Sequence, residues 1–373
     1  MPQLFDAPPV AGLDTGPAIA AMARVNVPAG LGQAALHDVS FTVRRGEIVS
    51  LLGTGGVGSG IATVLAAFAG FARANSGEVQ LGGRLMDTTP THRRGIGMVG
   101  RNLALFSHLD VAGHASFAAG VRPAQADAIV QRLGLAGFAR RRPAGLSTEI
   151  QFRTALARAL ASAPKLLLLE DQPGGLQMIA GLKPLLRSIV AETGLAILHA
   201  TDDASSSYGF SDRIGVMQSG VLRQLGTPQE LYDRPETLAA AQAMGALNRL
   251  AGTVLDSEDD IVRVRLSGGA VVEARFIEGL QSGDACVVAL RPERIAVAAV
   301  QAAEMGDGAV PARLLETVFE GSQLRLRFGI EGKAGTASEV MVTRPSNAIM
   351  PRGNAMCLAW QPHHAHAFRT EAA

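Results

Sequence analysis

From about Met22 onward, short apolar runs alternate with helix-periodic stretches, the pattern of a parallel sheet covered by helices. Val39 to Val43 and Glu47 to Leu52 read as strands, and Ile61 to Gly70 as an apolar helix. Leu166 to Leu169 is an uninterrupted leucine run, which suits a strand buried on both faces. Between Leu103 and Leu160 the chain is richer in alanine and helical spacing, and Asp127 to Leu133 sets Ile129, Val130 and Leu133 on one stripe. This predicts an inserted helical subdomain over about residues 103–160.

After about Gly245 the texture changes. Ile261-Val262-Arg263-Val264-Arg265-Leu266 and Leu324-Arg325-Leu326-Arg327-Phe328 alternate apolar with polar residues between glycine turns, which predicts antiparallel strands. Two stretches resemble one another: Gly252 to Val297 ends in Leu290-Arg291-Pro292-Glu293-Arg294, and Ala312 to Phe368 ends in Trp360-Gln361-Pro362-His363-His364. The reading is a duplicated small β-barrel unit. The expected division is a loose extension over residues 1–22, an α/β domain over 23–244 and a β-barrel domain over 245–373.

Length and composition narrow the function classes. A chain of 373 residues exceeds one average core. A net charge of +1 gives no reason to expect nucleic acid as the main partner. Two cysteines, Cys286 and Cys357, are too few for a disulfide framework and too distant for a zinc knuckle, which fits a reducing cytosol. The longest apolar run, Ile61 to Ala72, falls short of the roughly 20 residues that span a bilayer. The first residues lack the basic start and apolar core of a secretory signal.

The chemistry concentrates at Glu47 to Gly60, a strand running into a glycine-rich loop. A phosphate loop of the form G-x-x-x-x-G-K-S/T needs its lysine to reach the outer phosphates and its hydroxyl to hold Mg²⁺. Gly53 and Gly58 stand at the two glycine positions, but Ser59 replaces the lysine and Gly60 the hydroxyl residue. With Gly55 and Gly56 these glycines allow an anion nest at a helix N-terminus; the plainer alternative is that they only keep the turn geometry.

Ordered landmarks then carry a family resemblance. They are Ala35 to Phe41, the Gly53 to Gly60 loop, Gly97-Met98-Val99 through Leu109, Leu146-Ser147 through Leu160, Leu166 to Pro173, Asp212 to Met217, and Gly226 to Tyr232. In their order and spacing the chain resembles the ATP-binding subunit of an ABC importer of the polyamine, ferric iron or aminoethylphosphonate type. The resemblance implies a P-loop NTPase-like cassette with a helical subdomain, followed by an all-β, duplicated OB-like (TOBE) domain. It also implies ATP and Mg²⁺ as cofactors, permease membrane subunits and a second cassette subunit as partners, and a cytoplasmic place, peripheral on the inner face of the plasma membrane.

Carried over residue by residue, the same resemblance identifies what the chain lacks. Gly53, Gly56, Gly58, Ser59, Gly60 and Ser147 fall on the nucleotide-binding positions. No Phe, Tyr or Trp lies between Met22 and Ser40 to stack adenine. Arg101 stands where a glutamine senses magnesium, and a guanidinium ligates no metal. The LSGGQ signature becomes Leu146-Ser147-Thr148-Glu149-Ile150. The two acids after the leucine run are swapped to Glu170, a candidate magnesium ligand, and Asp171, a shortened base. Asp202 stands at the switch-histidine position, opposing the charge it should stabilise.

The missing lysine and the missing stacking partner together cost roughly 3–6 kcal/mol, or about two to four decades in affinity. The leading expectation is therefore a degenerate importer subunit with weak or no ATP binding and hydrolysis. The alternatives are a working ATPase energising import, and a soluble sensor whose barrels bind a small ligand. His363, His364 and His366 read as a polar tail rather than a metal site, Arg140 to Arg142 as a solvated face, and Trp360 as barrel packing.

Overall fold

The computed structural model describes residues 18–30, 34–118, 120–171, 181–276, 279–299, 309–330, 338–348 and 355–370. The chain divides into two compact units, Met1–Pro228 and Gln229–Ala373, so the division falls before the expected boundary at 244.

The strands of the first unit are β1 (Ala18–Val27), β2 (Leu36–Arg44), β3 (Ile48–Thr54), β4 (Ser76–Leu81), β5 (Arg84–Leu85), β6 (Ile96–Val99), β7 (Leu166–Glu170), β8 (Ala196–Thr201), β9 (Arg213–Gln218) and β10 (Val221–Gly226). Six of them form a sheet in the order β10-β9-β3-β8-β7-β6, parallel except for the β9–β10 hairpin. The others form a four-stranded antiparallel sheet, β2-β1-β4-β5. Residues 18–22 were expected in the loose extension but belong to β1. Its Ala20, Ala21 and Met22 are buried, and pairing with β2 and β4 captures a segment whose alanines carry little strand signal.

Helices α1 (Ile61–Ala69), α2 (Val111–Ala115), α3 (Pro123–Arg132), α4 (Thr148–Ala161) and α5 (Leu182–Thr193) supply the cover. The leucine run of β7 is buried on both faces, as its composition predicts. Leu167 and Leu169 join a core with Val111, Val130, Leu133, Phe152 and Leu156 from the α2–α4 region. Leu166 and Leu168 join the opposite core with Val64 and Phe68 of α1 and Phe41 of β2. Burial of a leucine side chain stabilises by about 1.5–3 kcal/mol, so this strand is among the best anchored in the chain. The segment 103–110, expected in the helical subdomain, is not helical.

The second unit is β-rich: β11 (Asn248–Glu258), β12 (Ile261–Leu266), β13 (Val271–Phe276), β14 (Ala285–Leu290), β15 (Ala296–Ala299), β16 (Ala309–Phe319), β17 (Gln323–Ile330), β18 (Ser338–Pro345), β19 (Ala355–Ala359) and β20 (Ala365–Arg369). They form a closed barrel, β11-β12-β13-β20-β14, and a five-stranded sheet, β15-β19-β16-β17-β18. The two similar sequence endings are both short helical turns, Pro292–Arg294 and Pro362–His364. Each is followed by a strand that crosses to the other repeat: β15 pairs with β19, and β20 closes the barrel between β13 and β14. The sequence reading assigned residues up to Phe368 to the second unit of the duplication. The structure corrects this, because side-chain alternation does not say which edge a strand will close. Trp360 packs against the core shared by these strands, as expected.

Truncation after His364 removes β20 and leaves β13 and β14 as open edges. The expected outcome is selective loss of the 229–373 unit to limited proteolysis, with a lowered first thermal transition. A truncated chain as resistant as the intact one would show that the exchanged strand is dispensable.

Candidate functional site

A parallel sheet gathers loops at the carboxyl ends of its strands, and neighbouring strands bring their loops together. Here β3, β8, β7 and β6 are consecutive neighbours. Their ends carry, in that spatial order, the glycine loop, Asp202, the Glu170–Asp171 pair and Arg101. Residues up to 150 positions apart in sequence thus share one edge because β7 and β8 sit between β3 and β6.

The glycine loop leaves β3, makes a short turn over Gly56–Ser59 and enters α1. Gly53 is required by space: a Cβ there would lie 2.6 Å from Ser59 Oγ and 2.7 Å from Asp202 Oδ1. The carboxylate of Asp202 therefore lies directly over the first glycine of the loop. Gly60 is required by backbone conformation and by space. Its φ is +93°, and a Cβ would meet Gly220 Cα at 2.9 Å. It precedes α1 rather than opening it, so this position does not offer a side chain from a helical first turn. Ser59, at the position of the missing lysine, is buried, and its carbonyl accepts the Gly220 N–H at 3.0 Å. Gly55, Gly56 and Gly58 face open space.

Arg101 brings the sequence-predicted acids together. Its Nε lies 3.6 Å from Glu170 Oε1, its Nη2 lies 3.4 Å from Asp202 Oδ2, and its backbone N–H donates to Glu170 Oε2 at 3.0 Å. The candidate metal ligand Glu170 is thus held by a guanidinium on its open side. Among the described residues no group of three or more His, Cys, Asp or Glu side chains is placed to hold a metal. The pairs are half exposed, so their worth in stability is at most about 1 kcal/mol. Their consequence is occupancy: a guanidinium lies against Glu170, the candidate magnesium ligand, and against Asp202.

Asp171, read as a shortened water-positioning base, turns out to be buried. Its Oδ2 accepts from Thr201 Oγ1 at 2.7 Å and lies 3.7 Å from His199 Nε2. Burial raises its pKa, but the neighbouring imidazole and hydroxyl outweigh burial and hold the carboxyl below its ordinary value. His199 Nδ1 meets Ser50 Oγ at 2.8 Å, and Ser50 in turn meets Ser211 Oγ. A serine, a histidine and an aspartate in contact suggest a nucleophilic triad, yet Ser50 and His199 are completely buried and reach no substrate. Sequence reading missed this network; its signal was His199 inside the apolar run Ala196 to Ala200.

The remaining predicted groups serve α4. Ser147 is its N-cap and accepts the Ile150 N–H at 3.4 Å, which satisfies a donor at the helix start. Glu149 pairs with Arg153 at 2.9 Å one turn on, so the charge expected to oppose phosphate is partly neutralised. Arg140, Arg141 and Arg142 are exposed, as expected.

Residues 36–173 match the ABC transporter family, and residues 288–368 match the TOBE domain. The spermidine/putrescine import ATP-binding protein PotA of Rubrobacter xylanophilus is 35% identical over 344 residues, covering 88% of either chain. PotA 1 of Pseudomonas aeruginosa is 31% identical over 344 residues, covering 88% of this chain and 90% of that one. Among solved structures, cbiO1 from Clostridium perfringens, part of the ABC transporter complex cbiONQ, aligns at a TM-score of 0.52 and 25% identity. That alignment covers 58% of this chain and 91% of that one.

Replacing Gly60→Thr adds a Cβ against Gly220 in a left-handed conformation, for an expected loss of about 2 kcal/mol or more in chemical denaturation. An unchanged midpoint would refute the loop geometry. Asp171→Asn tests the buried network through pH. A carboxyl depressed in the folded state contributes stability above its ordinary pKa near 3.9 and loses it as pH falls through the folded value. The variant should be weaker by about 1–3 kcal/mol at neutral pH, with the gap closing below about pH 4. A gap constant down to pH 3 would show that the native carboxyl is not held ionised.

Proposed function

Because the chain belongs to the ATP-binding subunits of ABC importers that carry a TOBE domain, we propose that it fills the cassette position of a polyamine-type importer while binding and hydrolysing ATP weakly or not at all. Polyamine is the reading favoured by the spermidine/putrescine import relatives. Its partners are permease membrane subunits and a second cassette subunit, identical or different. Attachment in this reading runs through those permease subunits on the inner face of the plasma membrane. No helix among the described residues is long and apolar enough to cross a membrane.

The family implies ATP and Mg²⁺, and the residues around the loop fit neither well. One observation carries this reading: the Asp202 carboxylate lies over Gly53 while Arg101 spans Asp202 and Glu170. A phosphate entering the loop meets a carboxylate rather than a lysine. A magnesium ion seeking Glu170 must first displace a guanidinium. The burial of Asp171 removes the remaining candidate for orienting water. Like charge and misplacement at these positions weigh on transition-state stabilisation more than on binding, since phosphoryl transfer is accelerated mainly by positioning and charge compensation.

Pairing with a competent cassette does not repair both shared sites. One composite site takes the loop, Asp171 and Asp202 from this chain; the other takes Thr148 and Glu149 of the altered signature. The subunit therefore contributes assembly and docking, and low turnover follows in homodimer and heterodimer alike.

Mg²⁺-ATP hydrolysis by the purified chain should fall far below the roughly 1–10³ s⁻¹ of ordinary enzymes, and fluorescent ATP analogues should bind weakly. The double replacement Arg101→Gln with Asp202→His removes the carboxylate from the loop mouth and should tighten nucleotide binding by about tenfold or more. Ordinary steady turnover, or micromolar nucleotide affinity, by the unmodified chain would overturn the degenerate reading.

A further inference from the structure

The first unit contains a cavity of about 470 Å³ at the amino ends of β3, β7 and β8, the edge of the sheet opposite to the glycine loop, Arg101 and Asp202. It stands apart from the nucleotide reading and depends on no part of it. Its apolar lining comes from Ile19 of β1, Ile129 of α3, Leu160 of α4, Ile189 of α5 and Leu195. The cavity thus lies where α3 and α4 meet α5 and the first strand. Its volume falls within the roughly 300–1,000 Å³ of small-molecule sites, which are mostly apolar with a few placed polar groups.

Cations supply the polar part. Arg45, Arg132 and Lys165 line the cavity, and no acidic side chain among the described residues does. Arg132 is already paired, with Glu192 at 2.7 Å, and ties α3 to α5. Arg45 donates to the Thr193 carbonyl at 3.5 Å, and neither Arg45 nor Lys165 pairs with a carboxylate among the described residues. Both are seated by close approach to a glycine: a Cβ on Gly194 would collide with Arg45 Nε, and one on Gly82 would lie 3.1 Å from Lys165 Nζ. The backbone that carries them is cross-linked. Gly46 N–H donates to the Gly194 carbonyl at 3.1 Å, while Lys165 donates its N–H to Gly95 at 3.1 Å and accepts from Ala196 at 3.2 Å. Two unpaired cations therefore stand on a fixed rim above an apolar floor.

Such a combination selects its occupant by charge as well as by polarity. An amine or a metal ion is repelled by the rim, and a neutral apolar molecule leaves the rim charge unused. A carboxylate with an apolar body satisfies both parts, because ammonium and guanidinium groups donate charge-assisted hydrogen bonds to carboxylate oxygens. We propose that this cavity binds a small amphipathic carboxylate, an acyl-chain or aromatic acid, with its apolar body on Ile129, Leu160, Ile189 and Leu195 and its carboxylate at the rim formed by Lys165 and Arg45. A ligand held there touches α3, α4, α5 and β1 together, so it raises the unfolding temperature of the first unit.

Calorimetric titration of the full chain at neutral pH and matched ionic strength tests the assignment with octanoate, 2-naphthoate, octanol, octylamine and acetate. Octanoate should bind at least about tenfold more tightly than octanol, the worth of one hydrogen bond to a charged group. Octylamine should bind more weakly than octanol, and acetate, which has no apolar body, should not bind. Tighter binding of 2-naphthoate identifies aromatic acids as the source, and tighter binding of octanoate identifies acyl chains. Lys165→Met and Arg45→Met, both at exposed positions, should each weaken octanoate by about tenfold and leave octanol unchanged. Ile129→Ser should weaken octanoate and octanol alike. No binding, octanol as tight as octanoate, or a preference that survives both cation replacements would overturn the proposal. Binding that weakens as protein concentration rises would give the cavity to a second copy of the chain and overturn it as well. Nucleotide affinity is read separately and does not respond to these variants, so either conclusion can fail without the other.

Discussion

The double-sided burial of β7 is the constraint on which the rest of the first unit depends. Leu166 and Leu168 face one core and Leu167 and Leu169 the other, so the strand lies inside the sheet with no freedom to slip. Its next residue, Glu170, then emerges at the carboxyl edge between the ends of β6 and β8. Arg101 and Asp202 meet there because each follows a strand hydrogen-bonded to β7. The electrostatics of the site are thus a product of packing well below it.

Three replacements that look independent in the chain compensate one another in space. Arg101 alone would repel a magnesium ion, and Asp202 alone would repel a phosphate. Together with Glu170 they form a network in which one guanidinium is shared by two carboxylates. The network adds little stability, since it is half exposed, but a nucleotide must compete with it for the same groups. The scaffold beneath is fully retained: a deep two-faced core, a capped α4 and a buried Asp171–His199–Ser50 chain. An intact fold beneath altered polar positions is compatible with membership of the importer family.

In the second unit, duplication is tied together by exchange. Each repeat gives away the strand after its helical turn, β15 to one sheet and β20 to the other. The exchange draws Pro292–Arg294 and Pro362–His364 onto one cavity wall, where arginines of one turn face histidines of the other. A polar histidine tail in the sequence becomes one side of a cationic cavity for that reason.

Much of this was legible in the residues. The leucine run, the glycine spacing and the alternating Ile261 to Leu266 segment fixed strand identity and the order of the domains, because hydrophobic periodicity and turn chemistry are local properties. The missing lysine, Arg101 and Asp202 were also visible as departures from a pattern. What the chain could not express was direction and partnership. That Asp171 turns inward to Thr201 and His199, that Gly60 holds a left-handed conformation against Gly220, and that β20 closes the first barrel all depend on neighbours far away in sequence. Such pairings are decided by which surfaces bury together when the whole chain folds, and no single segment contains that information.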